Sequence, residues 1–243
     1  MPEEDKSPEQ RAVEMARREI LSPTLSATRE MLAVHTPVLV DGQPVIARAD
    51  VEREPGAFYY YFRLEQEPYY LVVVVRPDEK ELAITSACVE AAVRVFLLVK
   101  ADGLMPDQIT ERLGLEPTRA YAKGDRIHPN LPPLPYTKWR FEPHQTLAEE
   151  LGRKLDLLLD QLDSAAPRIA ELAAECDVTI CVCYEGCREW LGGWNANAET
   201  LKRLVALGAN LHFDLYASGP DLPEPELLEP QPPEPPPGKK PCD

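Results

Sequence analysis

Hydrophobic periodicity changes twice along the chain, and the changes divide it. Ser7-Pro8-Glu9 combines a hydroxyl N-cap, a proline at the first helical position and an acid in the first turn, so a helix starts there. Val13, Ala16 and Ile20 give it one apolar face, and Ser22-Pro23 ends it. A second helix is predicted over residues 26–34, with Leu25, Met31 and Leu32 on one side. From Pro37 the period falls to two. Val38 and Val40 precede Asp41-Gly42 and Val45-Ile46 follow it, which is a hairpin pattern. Strands over residues 58–62, with aromatics on both faces, and over residues 69–75 and 82–85 continue an antiparallel meander through residue 92, partly covered by the two helices.

Beyond residue 92 strands and helices alternate. Residues 93–99 read as a buried strand, followed by a helix from Met105-Pro106-Asp107 whose Ile109 and Leu113 face inward and whose Gly114 takes a left-handed cap. A strand around Trp139 (136–141) comes next. Leu147, Leu151, Leu155, Leu158, Leu159 and Leu162 then share one stripe, predicting a helix over 147–163. A short helix (167–175), a strand (178–184), a helix closed by Gly208 (198–207) and a last strand (211–216) complete the order. The predicted class is α+β: a four-stranded, mostly antiparallel sheet with helices on one face, ferredoxin-like in wrap, preceded by a helix-plus-β-meander segment. The division reads as a helical segment (1–36), a meander (37–92), an α+β domain (93–218) and a Pro/Glu-rich tail (219–243). The tail has no apolar periodicity and is expected to be extended and disordered. Truncation after Ser218 should leave the melting temperature unchanged; a drop of several degrees would mean that the tail docks.

Charge and cysteine usage narrow the function. A net charge of −15 makes phosphate-backbone and anionic-membrane binding unfavourable and steers a basic protein towards the chain. No apolar run approaches the ~20 residues of a membrane helix. The acidic N-terminus lacks the apolar stretch of a secretory signal, so the six cysteines are expected as reduced thiols in a cytoplasm.

Candidate chemistry is sparse. Cys176, Cys181, Cys183 and Cys187 lie close in sequence, but alternation at Cys181 and Cys183 suits a strand better than a zinc knuckle, so no metal is expected. His35, His128, His144 and His212 are scattered, and no nucleophile elbow, P-loop or dinucleotide fingerprint is present, so no cofactor is expected. Asp125 follows Gly124 in a loop stiffened by the prolines of residues 129–135. Asp214 interrupts an apolar strand and needs a partner, for which Arg126 or Arg140 is the plain structural choice. The tyrosines at 59–61, 69 and 70 read as sheet packing whose outward members could form a binding patch.

The strand at 93–99, the helix ending Leu113-Gly114-Leu115-Glu116-Pro117, Gly124-Asp125, Trp139 and the final Asp214-Leu215-Tyr216 together resemble a bacterial domain of unknown function, family 4279, over about residues 93–217. The resemblance implies no activity and no catalytic residues. By analogy with small acidic proteins of toxin–immunity settings, it favours a binding role. The function expected is a non-catalytic acidic protein-binding module, of immunity or scaffolding type, for a basic partner, with Asp125, Arg126, Tyr136, Trp139 and Asp214 as its binding residues. The competing reading is a hydrolase whose acids converge near the loop from Asp125 to Trp139.

Overall fold

A computed structural model describes residues 6–51, 53–78 and 81–221. Most of the expected Pro/Glu-rich tail lies outside these residues. The first helix, α1 (Pro8–Leu21), begins as its sequence requires: Ser7 Oγ accepts the Gln10 N–H and the Gln10 side chain accepts the Ser7 N–H. It and α2 (Ser26–Val34) lie on one face of an antiparallel sheet whose order is β3 (Ile46–Asp50), β4 (Phe58–Arg63), β5 (Tyr70–Asp78) and β6 (Glu81–Glu90). A small hairpin, β1 (Leu39–Val40) with β2 (Gln43–Pro44), turns at Asp41 and Gly42, both at positive φ. Ala12, Ala16, Ile20 and Met31 pack on Tyr60, Phe62, Leu71 and Val73, so the helical segment and the meander share one core. The other face, with Tyr59, Tyr61, Val72 and Val74, packs on Ala148 of the second half. Tyr59, Tyr60, Tyr61 and Tyr69 are buried and Tyr70 is half-buried, so the tyrosines form core rather than an outward patch.

The second half is built from β7 (Ala92–Ala101), α3 (Pro106–Leu113), β8 (Arg119–Tyr121), β9 (Thr137–Phe141), α4 (Leu151–Leu162), α5 (Ala166–Ala173), β10 (Asp177–Cys187), α6 (Ala198–Ala206) and β11 (Asn210–Ser218). Its sheet runs β11-β10-β7-β9-β8, antiparallel throughout except for the parallel pair β10–β11. Taken alone, β7, β8, β9 and β10 have the strand order of a ferredoxin-like βαββαβ wrap, to which α6 adds β11 as a fifth strand at the edge. The expected four strands are therefore five. The additional one, β8, is three residues long and has no apolar alternation to announce it.

Helices cover one face only. Val93, Val95, Leu97 and Val99 pack with Ile109, Leu113, Leu155 and Leu158 beneath Trp139. Gly114 takes the expected left-handed cap, with its N–H on Thr110 O at 2.8 Å. The leucine stripe starts its helix at Leu151 rather than Leu147. Residues 147 and 148 stay extended because the Val93 N–H donates to Leu147 O and Ala148 bridges to Ala92. The halves meet across a charged seam: Arg48 pairs with Asp50 and Glu149, Arg153 with the same two carboxylates, and Arg53 with Glu90 and Glu150. Among the described residues no helix is long and apolar enough to cross a membrane.

Candidate functional site

The face of the five-stranded sheet turned away from the helices is the candidate site. Alternation along β7 sends Arg94, Phe96, Leu98 and Lys100 to this side, opposite the core residues. Register then fixes the rest. Arg140 lies beside Leu98 and Lys138 beside Lys100 on β9, with Arg119 of β8 beside Arg140. Cys181 lies beside Phe96 and Cys183 beside Arg94 on β10. His212 and Asp214 of β11 then flank Cys181 and Cys183. Phe96, Leu98 and Cys181 form a small buried floor of their own, and no helical residue belongs to it. Over that floor lies an open cleft of about 520 Å³, walled by Lys100, Arg140, Asp177 and Asp214.

Its electrostatics are bipolar. Arg140 stacks on Phe96, 3.7 Å from the ring centroid, and pairs with Glu142. Lys100 Nζ meets Asp177 at 3.2 Å, and that hydrogen bond raises the lysine above its ordinary pKa. Partial burial pushes the Asp177 carboxyl up, but hydrogen bonds from Lys100 and Thr179 outweigh it and hold the group below its ordinary value. Arg94 reaches Glu185 at 3.5 Å. Burial pushes the Cys181 thiol up to about 11 and raises Cys183 as well, so both remain protonated at neutral pH and are poor nucleophiles. Among the described residues no group of three or more His, Cys, Asp and Glu side chains could hold a metal. Cys187 is instead buried in the core under α1 and α2, and Cys176 packs beside the helix-side core.

The five expected binding residues are not brought together. Asp125 is exposed and closes its own turn: its carboxylate accepts the Ala122 N–H at 2.8 Å, while Gly124 sits at φ 95° and donates to Leu134 O. Arg126 is exposed beside it. Trp139 faces the other way, fully buried, with its Nε1–H donating to Thr110 Oγ1 at 3.0 Å. Tyr136 alone connects the loop to the open face, its ring 5.8 Å from Lys100 Nζ. Asp214 lies on the open face, but it meets His212 Nε2 at 3.0 Å and the Cys183 thiol at 3.9 Å rather than Arg126 or Arg140. Since β8 and β11 are opposite edges of the sheet, four inter-strand steps put Asp214 roughly 19 Å from the strand that leads to Asp125. The two acids do not converge.

Sequence reading passed over Phe96, Leu98 and Lys100, and it weighed Arg140 only as a structural partner for Asp214. Their signal was present in β9, where Lys138 and Arg140 alternate with Thr137, Trp139 and Phe141. Strand β7 hid it, because Phe96 and Leu98 make both of its faces apolar. A second, apolar cavity of about 310 Å³ lies on the helix side between the Gly192-Gly193 loop and β11, lined by Leu151, Tyr184, Leu191, Trp194, Phe213 and Leu215.

No curated protein and no solved structure matches the chain. The strands and helices that build the open face fall instead within residues 91–218, more than half of the 243, which match the family described as Domain of unknown function (DUF4279); the chain belongs to that family.

Proposed function

We propose that the protein is a non-catalytic binding module that receives a protein partner on the open face of the five-stranded sheet. The observation carrying this reading is a sheet face that no helix covers, where Phe96, Leu98 and Cys181 form the floor of a cleft with charged walls. An apolar floor with a charged rim suits recognition, since the floor supplies desolvation and the rim supplies orientation. Chemistry is poorly served there, because the thiols stay protonated and the acids expected to act as a pair stand on opposite edges.

The net charge of −15 steers a basic partner. At close range Asp214, which meets His212 and the Cys183 thiol but no lysine or arginine among the described residues, is the carboxylate of the cleft that accepts a cation from the partner. Phe96 and Leu98 take an apolar side chain of the partner once Arg140, stacked on Phe96, swings aside. By analogy, this is the role of an acidic immunity or scaffolding protein that neutralises or holds a basic one.

The test starts with affinity capture from the native host, comparing wild type with Asp214→Lys and Leu98→Ser, and with Lys202→Glu on the helix side as control. Thermal melting of each variant is measured in parallel. The same partner should be held by wild type and by Lys202→Glu, and calorimetry should show ~1–3 kcal/mol lost in the two open-face variants. A partner held equally by all four proteins places recognition elsewhere. The exposed loop is examined in the same way with Asp125→Ala and Arg126→Ala.

A further inference from the structure

Strand β11 carries a pattern of which the open-face reading uses only Asp214. From Ala209 to Ala217 it reads Ala-Asn-Leu-His-Phe-Asp-Leu-Tyr-Ala, symmetric in its apolar positions about Phe213. The strand is last in its sheet and pairs only with β10 among the described residues, in unbroken register from Asn210 to Ser218. It contains no proline, no lysine and no bulge, the devices that blunt a free edge. The opposite edge, β8, is only three residues long. Side chains along β11 are exposed as well, Leu215 by 65 % and Tyr216 by 57 %. A long, unbulged and partly apolar edge is a template for a further strand.

We propose that β11 pairs antiparallel with β11 of a second copy about a two-fold axis through Phe213, joining the two five-stranded sheets into one. In that register Leu211 opposes Leu215, His212 opposes Asp214, and Phe213 opposes itself, each pair sharing a face. Leu211, Phe213 and Leu215 then meet on the helix side. On the open side the His212–Asp214 pair, 3.0 Å apart within one chain, is set against its inverted copy, so unlike groups alternate around a square. Other registers are penalised. A slip of two residues places either Asp214 against Asp214 or His212 against His212, and a slip of one mixes apolar with polar faces. Complementarity of imidazole to carboxylate, His212 against Asp214 and Asp214 against His212, thus selects a second copy of this chain, in one register, as the occupant of the edge. The helix layer supports it, because α6, which leads into β11, leaves Leu201 and Val205 exposed by 49 % and 79 % one turn apart. A two-fold axis at Phe213 brings the two α6 helices alongside one another in the same layer.

Sedimentation velocity on the full chain at physiological salt, over a wide concentration range, should show a dimer. Leu215→Lys changes an exposed residue and should leave the monomer folded by thermal melting while raising the dissociation constant at least tenfold. His212→Asp alone opposes acid to acid and should weaken the dimer likewise, and addition of Asp214→His should restore it. A chain that is monomeric at every concentration overturns the proposal. If its β11 amides are nevertheless protected from hydrogen exchange, the edge is covered by the chain's own residues. A dimer indifferent to Leu215→Lys, or a charge swap that fails to restore association, overturns it equally.

Discussion

Replacing Trp139 by alanine is expected to remove about 3–5 kcal/mol of folding stability, a large part of what a domain of this size possesses. Trp139 is among the largest fully buried side chains of the protein. It stands opposite Val99 in the β7–β9 pairing, stacks on Phe141 with ring centroids 6.3 Å apart, and donates its indole N–H to Thr110 on α3. The single residue therefore ties sheet to helix by both packing and a hydrogen bond. Alanine leaves a cavity that surrounding strands can close only in part, and it strands the Thr110 hydroxyl. Trp139→Phe keeps most of the volume and loses the N–H, so it should cost about 1–2 kcal/mol. Chemical denaturation followed by circular dichroism checks both. If alanine costs under about 1 kcal/mol, Trp139 is not the centre of this core.

That role explains why the expected binding residues do not share one face. Sequence reading placed Gly124, Asp125, Arg126, Tyr136 and Trp139 in one loop and strand, and all of them are neighbours in the chain. The β-period that separates their faces depends on where β9 starts. Once Thr137 pairs with Ala101, Trp139 must point into the helices while Lys138 and Arg140 point out. Local signals were legible: the Ser7 cap, the Asp41-Gly42 turn, the Gly114 cap and the leucine stripe each depend on residues a few positions apart. The α+β class was legible too, because helical and strand periods alternate through the second half, but the ferredoxin-like order was not, since it rests on β8. What needed the structure was non-local. Strand β8 exists only because β9 offers it an edge, and Leu147 leaves the helical stripe because Val93, more than fifty residues earlier, takes its carbonyl. Which sheet face remains uncovered is likewise decided by the side on which the helices settle, and β7, apolar on both faces, could not announce it. Asp214 was rightly read as needing a partner, but the nearest answer lay two residues away at His212, on the same face of the same strand.

The seam between the halves carries a second large effect, which is pH-dependent. Lys154 on α4 is almost completely buried, and its Nζ donates to the carbonyls of Val93 and Thr146, fixing the start of α4 to the start of β7. Burial pushes its pKa down to about 8, against the pull of Glu142 and Glu149. In the unfolded chain the same group titrates near its ordinary value, about 10.4. Below about pH 8 the lysine is charged in both states, and the folded state bears the full desolvation cost. Between about 8 and 10.4 the folded protein has released a proton that the unfolded chain still holds, so this group makes stability rise with pH, by up to roughly 3 kcal/mol. Buried and half-buried thiols and phenols act in the opposite sense: Cys88 and Cys181 are raised to about 11 and Tyr60 to about 12, so their contribution is lost as pH climbs past the unfolded values. A wild-type curve alone mixes these effects, and the comparison with Lys154→Met separates them. Near neutral pH the variant should be only slightly less stable, because the lost hydrogen bonds are offset by the removal of a buried charge. As pH rises towards 10 the wild type should gain on the variant by about 1–3 kcal/mol in urea denaturation. A constant difference across that range would mean that Lys154 keeps an ordinary pKa and that water reaches the seam between the two sheets.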